Sequence, residues 1–311
     1  MKKVFIGILS LIIAIIMLSS CEKIPVNADN DPGLKIVTTI FPIYDWVKNI
    51  TGDANAVSYL DESGIDLHSF EPTAKDILAL SGADMFVYIG GASDEWAENA
   101  VKASQNPSLI TVSLIEKTGA LEEETVEGME KDDDDGELDE HIWLSLKKAQ
   151  KAVNAITEAL CEADTANADK YRANADHYIE KLSQLDSRYT SAVSGAKRNT
   201  LLFADRFPFR YMTEDYGLEY FAAFPGCSAE SEASFETMAF LIEKTKELSL
   251  PDIIVIDTSD GRIASAVSED TGAGILTLNS CQSVTKSDIE NGMTYLSAME
   301  ENLRILTEAL N

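Results

Sequence analysis

Short apolar runs alternate with amphipathic stretches along most of this chain. Residues 35–40, 56–60, 85–90 and 109–112 are rich in β-branched and aromatic side chains and are bounded by Gly, Asp, Asn or Ser. Such runs read as strands. Between them, residues 43–50, 73–80 and 94–103 read as helices. Short buried strands separated by helices imply a parallel sheet covered on both faces. The alternation returns after residue 200, with strands expected at 201–204, 218–224, 253–257 and 274–278 and helices at 209–216, 235–248 and 263–270. The fold class is therefore α/β, with two small parallel-sheet lobes. The architecture repeats, but no residue-level repeat does.

The segment between the two halves has a different pattern. Tyr171, Ala175, Tyr178, Leu182, Leu185, Tyr189 and Val193 fall three or four residues apart and form one apolar stripe on a polar background. A single helix over 168–196 would be about 43 Å long, enough to lie against both lobes and brace them. The last helix carries a similar stripe at Leu296, Met299, Leu303, Leu306 and Leu310. The expected plan is a leader at 1–20, a tether at 21–34 and an N-terminal lobe at 35–165. A connector helix at 166–199 and a C-terminal lobe at 200–311 complete it.

The N-terminus sets the compartment. Lys2 and Lys3 precede an apolar run over 4–18, and Leu18-Ser19-Ser20-Cys21 resembles a bacterial lipobox. Fifteen helical residues span about 22 Å, short of a hydrocarbon core of roughly 30 Å. The segment reads as a cleaved signal peptide, with Cys21 the lipidated residue that anchors the domain outside the cytoplasmic membrane. The net charge is −28 over 311 residues, and loss of Lys2 and Lys3 makes it two units more negative. Such a chain repels nucleic acid and anionic lipid and attracts cations. Export permits a disulfide. Cys227 and Cys281, which both follow expected strands, are the pair to consider, while Cys161 falls in a helical run as a small core residue.

Only three histidines are present, and two of them flank an acidic stretch. His68 lies between the strand at 56–60 and the helix near Thr73, which Pro72 suits as a first-turn residue. Ligands of open α/β sheets gather outside the carboxyl ends of strands. His141 follows residues 122–140, of which 12 of 19 are Asp or Glu. Neutral imidazoles serve zinc, manganese and iron. His177 belongs to the polar face of the connector helix and is expected in solvent. A metalloenzyme with three protein ligands and a water is the competing class, but the chain has no H-E-x-x-H, no G-x-S-x-G and no phosphate-cradling glycine loop.

The segments HSFEPTAKDILALSGAD with FVYIGG, then DEHIWLSLKKAQ, then EDYGL, resemble the metal-specific substrate-binding lipoproteins of ABC importers for zinc and manganese (cluster A-I). The resemblance runs from Lys35 onward. It implies two βα lobes joined by a long rigid helix, with the transported metal in the cleft between them, and an ABC permease as partner. It also implies that His68 and His141 are the two N-lobe ligands. The family's third ligand, a His or Glu, falls here on Arg206, which cannot coordinate a cation; its neighbour Asp205 is the expected substitute, unless the two side chains pair. The fourth, an Asp or Glu after the last strand, falls within Leu278-Asn279-Ser280-Cys281, where Asn279, a water or Asp257 could serve. Zinc importers carry a histidine-rich loop where this chain is acidic, and that position leans the reading to zinc over manganese. The acidic loop reads either as a loose cation collector or as a solvated charge run. The protein is expected to work as a monomer; an adhesin role is open on the same fold.

Overall fold

The computed structural model describes residues 33–60, 64–65, 67–130, 137–228 and 232–311. The leader, Cys21 and nearly all of the tether lie outside the described residues. In chain order the elements begin β1 (Ile36–Thr38), α1 (Phe41–Thr51), β2 (Val57–Tyr59), α2 (Ala74–Ser81), β3 (Met85–Tyr88), α3 (Trp96–Ser104), β4 (Ile110–Ser113) and α4 (Ile115–Thr118). Two long helices follow, α5 (Leu146–Ala163) and α6 (Ala168–Ser194). The remainder is β5 (Thr200–Phe207), α7 (Arg210–Tyr216), β6 (Glu219–Pro225), α8 (Phe235–Glu247), β7 (Asp252–Ile256), α9 (Arg262–Thr271), β8 (Gly274–Leu278), α10 (Lys286–Glu290) and α11 (Tyr295–Ala309).

Two four-stranded sheets result, ordered β2-β1-β3-β4 and β6-β5-β7-β8, with every pairing parallel. The central strands β1, β3, β5 and β7 are buried on both faces and largely apolar, whereas the edge strands β2, β4 and β8 expose Ser58, Thr111 and Thr277. Val37 and Phe86 pack outward with Leu80, Ala97 and Ala100, while Ile36, Met85 and Val87 face inward. The same period of two separates Leu202, Ile253 and Val255 from Leu201, Phe203, Ile254 and Ile256.

The two inner faces meet one continuous core that also takes in α5, α6 and α11. Tyr171, Ala175, Tyr178, Leu182, Leu185 and Tyr189 are buried along α6, as the stripe predicts, and His177 is exposed. At 27 residues this helix is about 40 Å long. Its polar groups tie the lobes as well. Tyr178 Oη donates to Asp45 Oδ2 of α1 at 3.1 Å, the same oxygen accepts from Tyr295 N of α11 at 3.2 Å, and Tyr189 Oη donates to the Met299 carbonyl at 2.6 Å. Burial raises the Asp45 pKa against the pull of these donors. Asp45→Ala would strand two buried donors at about 1–3 kcal/mol each. We expect a loss of about 3 kcal/mol in urea unfolding, with Asp45→Asn milder because it removes the cost of a buried charge.

Helix α2 starts at Ala74, one residue after the expected Thr73, so that Pro72 lies outside its first turn. Thr73 is its N-cap and forms a capping box with Asp76, the two side chains being 2.7 Å apart.

Candidate metal centre

The two histidines are delivered from different loops at the carboxyl ends of the N-lobe strands. His68 sits in a 3-10 turn (Leu67–Ser69) on the crossover from β2, and His141 caps a second such turn, Ile142–Leu144, that leads into α5. Their rings stand 5.4 Å apart, centroid to centroid.

Each imidazole is oriented through Nδ1. Asp139 Oδ1 accepts from both the backbone N–H and Nδ1 of His141, each at 2.9 Å. His68 Nδ1 lies 2.7 Å from Ser93 Oγ and 3.3 Å from Glu140 Oε1. Ser93 in turn donates its hydroxyl to Glu140 Oε1 and its backbone N–H to Glu140 Oε2 at 3.1 Å. Since Glu140 takes the Ser93 proton, His68 Nδ1 donates to Ser93, and Nε2 becomes the basic nitrogen of both rings. His141 is 0% exposed, and its Nε2 has no hydrogen-bond partner among the described residues. Burial works against protonation of this ring, but Asp139, Glu140 and Glu123 outweigh it and raise its pKa.

A third donor comes from the C-lobe. Cys227, two residues beyond β6, joins His68 and His141 in a group whose ligand atoms lie within 4.8 Å of one another. Its backbone N–H donates to Glu123 Oε1 at 3.0 Å. Burial, then the charges of Glu140, Glu123 and Asp139, push its thiol well above the ordinary cysteine range. Close approach of this loop depends on Gly226: a Cβ there would lie 3.1 Å from His141 Cε1 and 2.9 Å from the Phe207 carbonyl.

The expected Cys227–Cys281 disulfide is not formed, and Cys161, Cys227 and Cys281 are free thiols. Strand order explains this. β6 and β8 are opposite edges of the C-lobe sheet, three strand spacings or about 14 Å apart, whereas a disulfide needs Cα atoms within about 7 Å. Cys281 is instead buried in the shared core, in a left-handed turn (φ 58°) held by Asn279 Oδ1.

Asp205, expected to supply an oxygen, stands outside the group. Its strand bulges against β6 between Phe203 and Arg206, and its carboxylate accepts from Arg206 N at 2.8 Å and from Ile256 N of β7 at 3.3 Å. Its pKa is raised, chiefly by burial. Asp257 and Asn279 are likewise engaged, Asp257 Oδ1 by Ser280 N and Asn279 Oδ1 by Cys281 N, each at 2.7 Å.

The acidic stretch is docked over its described part. Glu122 bridges to Leu138, Glu130 N donates to the Ala223 carbonyl of β6 at 2.9 Å, and Arg210 pairs with Glu124 at 3.4 Å. Gly128 lies so close to Phe240 that a Cβ would sit 2.1 Å from the ring. Met129 and Gly128, apolar or small residues inside a charge run, are the signal for this docking. The residues sequence reasoning missed are Ser93, Asp139, Glu140, Gly226 and Cys227. Gln282, whose buried Oε1 has no partner among the described residues, was also missed; it follows Ser280, whose carbonyl accepts from Trp143 Nε1 at 2.8 Å.

Both the sequence and the fold of this chain match known proteins. The family model described as zinc-uptake complex component A, periplasmic (ZnuA), matches residues 36–309. The chain belongs to this family. It is 30% identical over 304 residues to the zinc-binding lipoprotein AdcA of Streptococcus pneumoniae, covering 95% of this chain but only 60% of that protein. It is 29% identical over 281 residues to the high-affinity zinc uptake system protein ZnuA of Bacillus subtilis, covering 89% of this chain and 88% of that protein. The crystal structure of the Zn(II)-bound ZnuA-like domain of pneumococcal AdcA superposes with a TM-score of 0.73 at 29% identity, covering 89% of this chain and 99% of that domain. The metal-dependent lipoprotein YcdH of Bacillus subtilis gives 0.75 at 28% identity, with 89% and 99% covered. The laminin-binding adhesin of Streptococcus agalactiae shares the fold, with a TM-score of 0.78 at 24% identity and 90% and 100% covered.

Proposed function

We propose that this protein captures zinc outside the cytoplasmic membrane and delivers it to an ABC permease. It is held at the membrane by a lipid on Cys21, works as a monomer and makes or breaks no bond in its cargo. His68 and His141 hold the ion. The observation that carries this reading is the buried, unpartnered Nε2 of His141, beside a second imidazole whose Nδ1 is also tied to a carboxylate network. A carboxylate behind each histidine fixes ring and tautomer and raises ligand basicity, the arrangement expected around a bound metal. The names of the zinc-binding relatives support zinc as the cargo. No helix among the described residues is long and apolar enough to cross a membrane, which fits a protein that is anchored rather than inserted.

The test is competitive titration of the metal-free protein with zinc and manganese. Zinc should win, and His68→Ala and His141→Ala should each weaken it at least about 100-fold, the upper end of what losing a supporting contact costs. Wild-type zinc affinity in both variants would refute the assignment.

A further inference from the structure

The C-lobe half of the site contains a donor of a different chemical kind from its N-lobe half. We infer that Cys227 is the C-lobe ligand, its thiolate closing a His68–His141–Cys227 zinc site. This rests on the zinc-capture reading above and assigns the donor that completes it.

Three independent observations converge on the thiol. Its sulfur falls in one group with imidazole nitrogens of His68 and His141, all within 4.8 Å. A tetrahedral zinc with bonds of about 2.0–2.3 Å holds its donors roughly 3.5 Å apart, so closure needs a contraction of about 1 Å, within the reach of a loop. Second, the C-lobe carboxylates nearest in sequence to the expected ligand positions are held by backbone donors, Asp205 by Arg206 N and Ile256 N and Asp257 Oδ1 by Ser280 N, while Asp205 stands outside the group that Cys227 joins. Third, the Cys227 loop is built to approach. Gly226 has no side chain where one would strike the His141 ring and the Phe207 carbonyl, and Glu123, from the acidic stretch, fixes the Cys227 backbone N–H.

The donor set has a consequence for selectivity. Thiolate is a soft ligand that suits zinc and is poor for manganese, whereas carboxylate oxygen suits manganese. Two imidazoles and one thiolate therefore make this version of the site discriminate against manganese by ligand type. The net charge of zinc with one thiolate is +1, and Asp139 and Glu140 lie directly behind the histidines to balance it.

Cobalt(II), a spectroscopic substitute for zinc, decides the matter on the whole protein. Wild type loaded with cobalt should show d–d bands together with a near-ultraviolet sulfur-to-cobalt charge-transfer band. Cys227→Ser should keep d–d bands, lose the charge-transfer band and bind zinc on the order of 100-fold more weakly, with manganese affinity little changed. Wild-type d–d bands without the charge-transfer band, and unaltered zinc affinity in Cys227→Ser, would overturn the thiolate while leaving the histidine reading intact. If wild type bound neither cobalt nor zinc, both readings would fall. Should Cys227→Ser not fold, alkylation of wild type settles the point by peptide mapping. Zinc should slow modification of Cys227 at least about tenfold; an equal rate with zinc demonstrably bound would refute the proposal.

Discussion

Replacing Trp143 with alanine should destabilise the protein by about 5 kcal/mol, enough to leave much of a typical domain unfolded at ambient temperature. Trp143 is fully buried two residues after His141, and three interactions converge on it. Its Nε1 donates to the Ser280 carbonyl at 2.8 Å, its own carbonyl accepts from Tyr295 Oη at 2.5 Å, and its ring lies 5.2 Å from that of His141. Deletion of a buried Trp costs about 3–5 kcal/mol in lost transfer and cavity terms. The Ser280 carbonyl, left buried without its donor, adds about 1 kcal/mol or more. Trp143→Phe separates the two contributions. It keeps most of the volume and should lose only about 1–2 kcal/mol. Urea unfolding followed by far-ultraviolet circular dichroism measures both; a loss below about 2 kcal/mol for Trp143→Ala would mean that the Ser280 loop collapses into the space.

Zinc itself should be the second large determinant of stability. Free zinc at 1,000 times its Kd stabilises a protein that binds only when folded by about 4 kcal/mol, or roughly 10 °C in melting temperature for a body of this size. His141→Ala, binding at least about 100-fold more weakly, should cut that gain to about 1.4 kcal/mol or less at the same zinc concentration. The metal-free state begins at a disadvantage, because Asp94, Asp139 and Glu140 are all buried near the histidines. The Asp94 pKa is raised to about 7, by burial first and then by Glu140, against the donated Gly90 N–H. A carboxyl whose folded pKa exceeds its unfolded value stabilises the fold fully below the unfolded pKa, and that contribution is lost as pH rises through the folded value. The raised His141 pKa acts in the same sense. The metal-free protein should therefore melt lower as pH rises through about 7, while the zinc-loaded protein should not, so the zinc-dependent gap widens with pH. A gap that stays constant across that range would show that these groups are not coupled to the ion.

The central strands could be read in the sequence because they are buried on both faces and largely apolar, and the partly exposed edge strands β2, β4 and β8 because short β-branched or aromatic runs end there at turn residues. Strand β5 was read short: it continues through Asp205 and Arg206 to Phe207, polar positions at a bulge that no local apolar pattern marks. His68 and His141 were legible from scarcity and from their places at strand ends. Cys227 was not, because its neighbours depend on the order in which strands assemble. With β6 at the sheet edge remote from β8, the same cysteine that looked available for a disulfide comes to rest beside an imidazole. The acidic stretch misled for a related reason: its charge suggested a solvated loop, while Gly128 and Met129 dock it on the C-lobe.

The bracing of α6 bears on how cargo can leave. Its apolar stripe and the Tyr189–Met299 hydrogen bond fasten it to the shared core, and the shared Asp45 oxygen and the Trp143–Ser280 hydrogen bond cross between lobes. Swinging the lobes apart as rigid bodies would expose that core and break several buried hydrogen bonds at once, each leaving buried groups unsatisfied at about 1–3 kcal/mol. The inexpensive motion is local. The Cys227 turn and the His68 turn each hang from a loop outside the sheets, so on the proposed ligand assignment exchange of the ion would resemble the lifting of a latch more than the opening of a jaw.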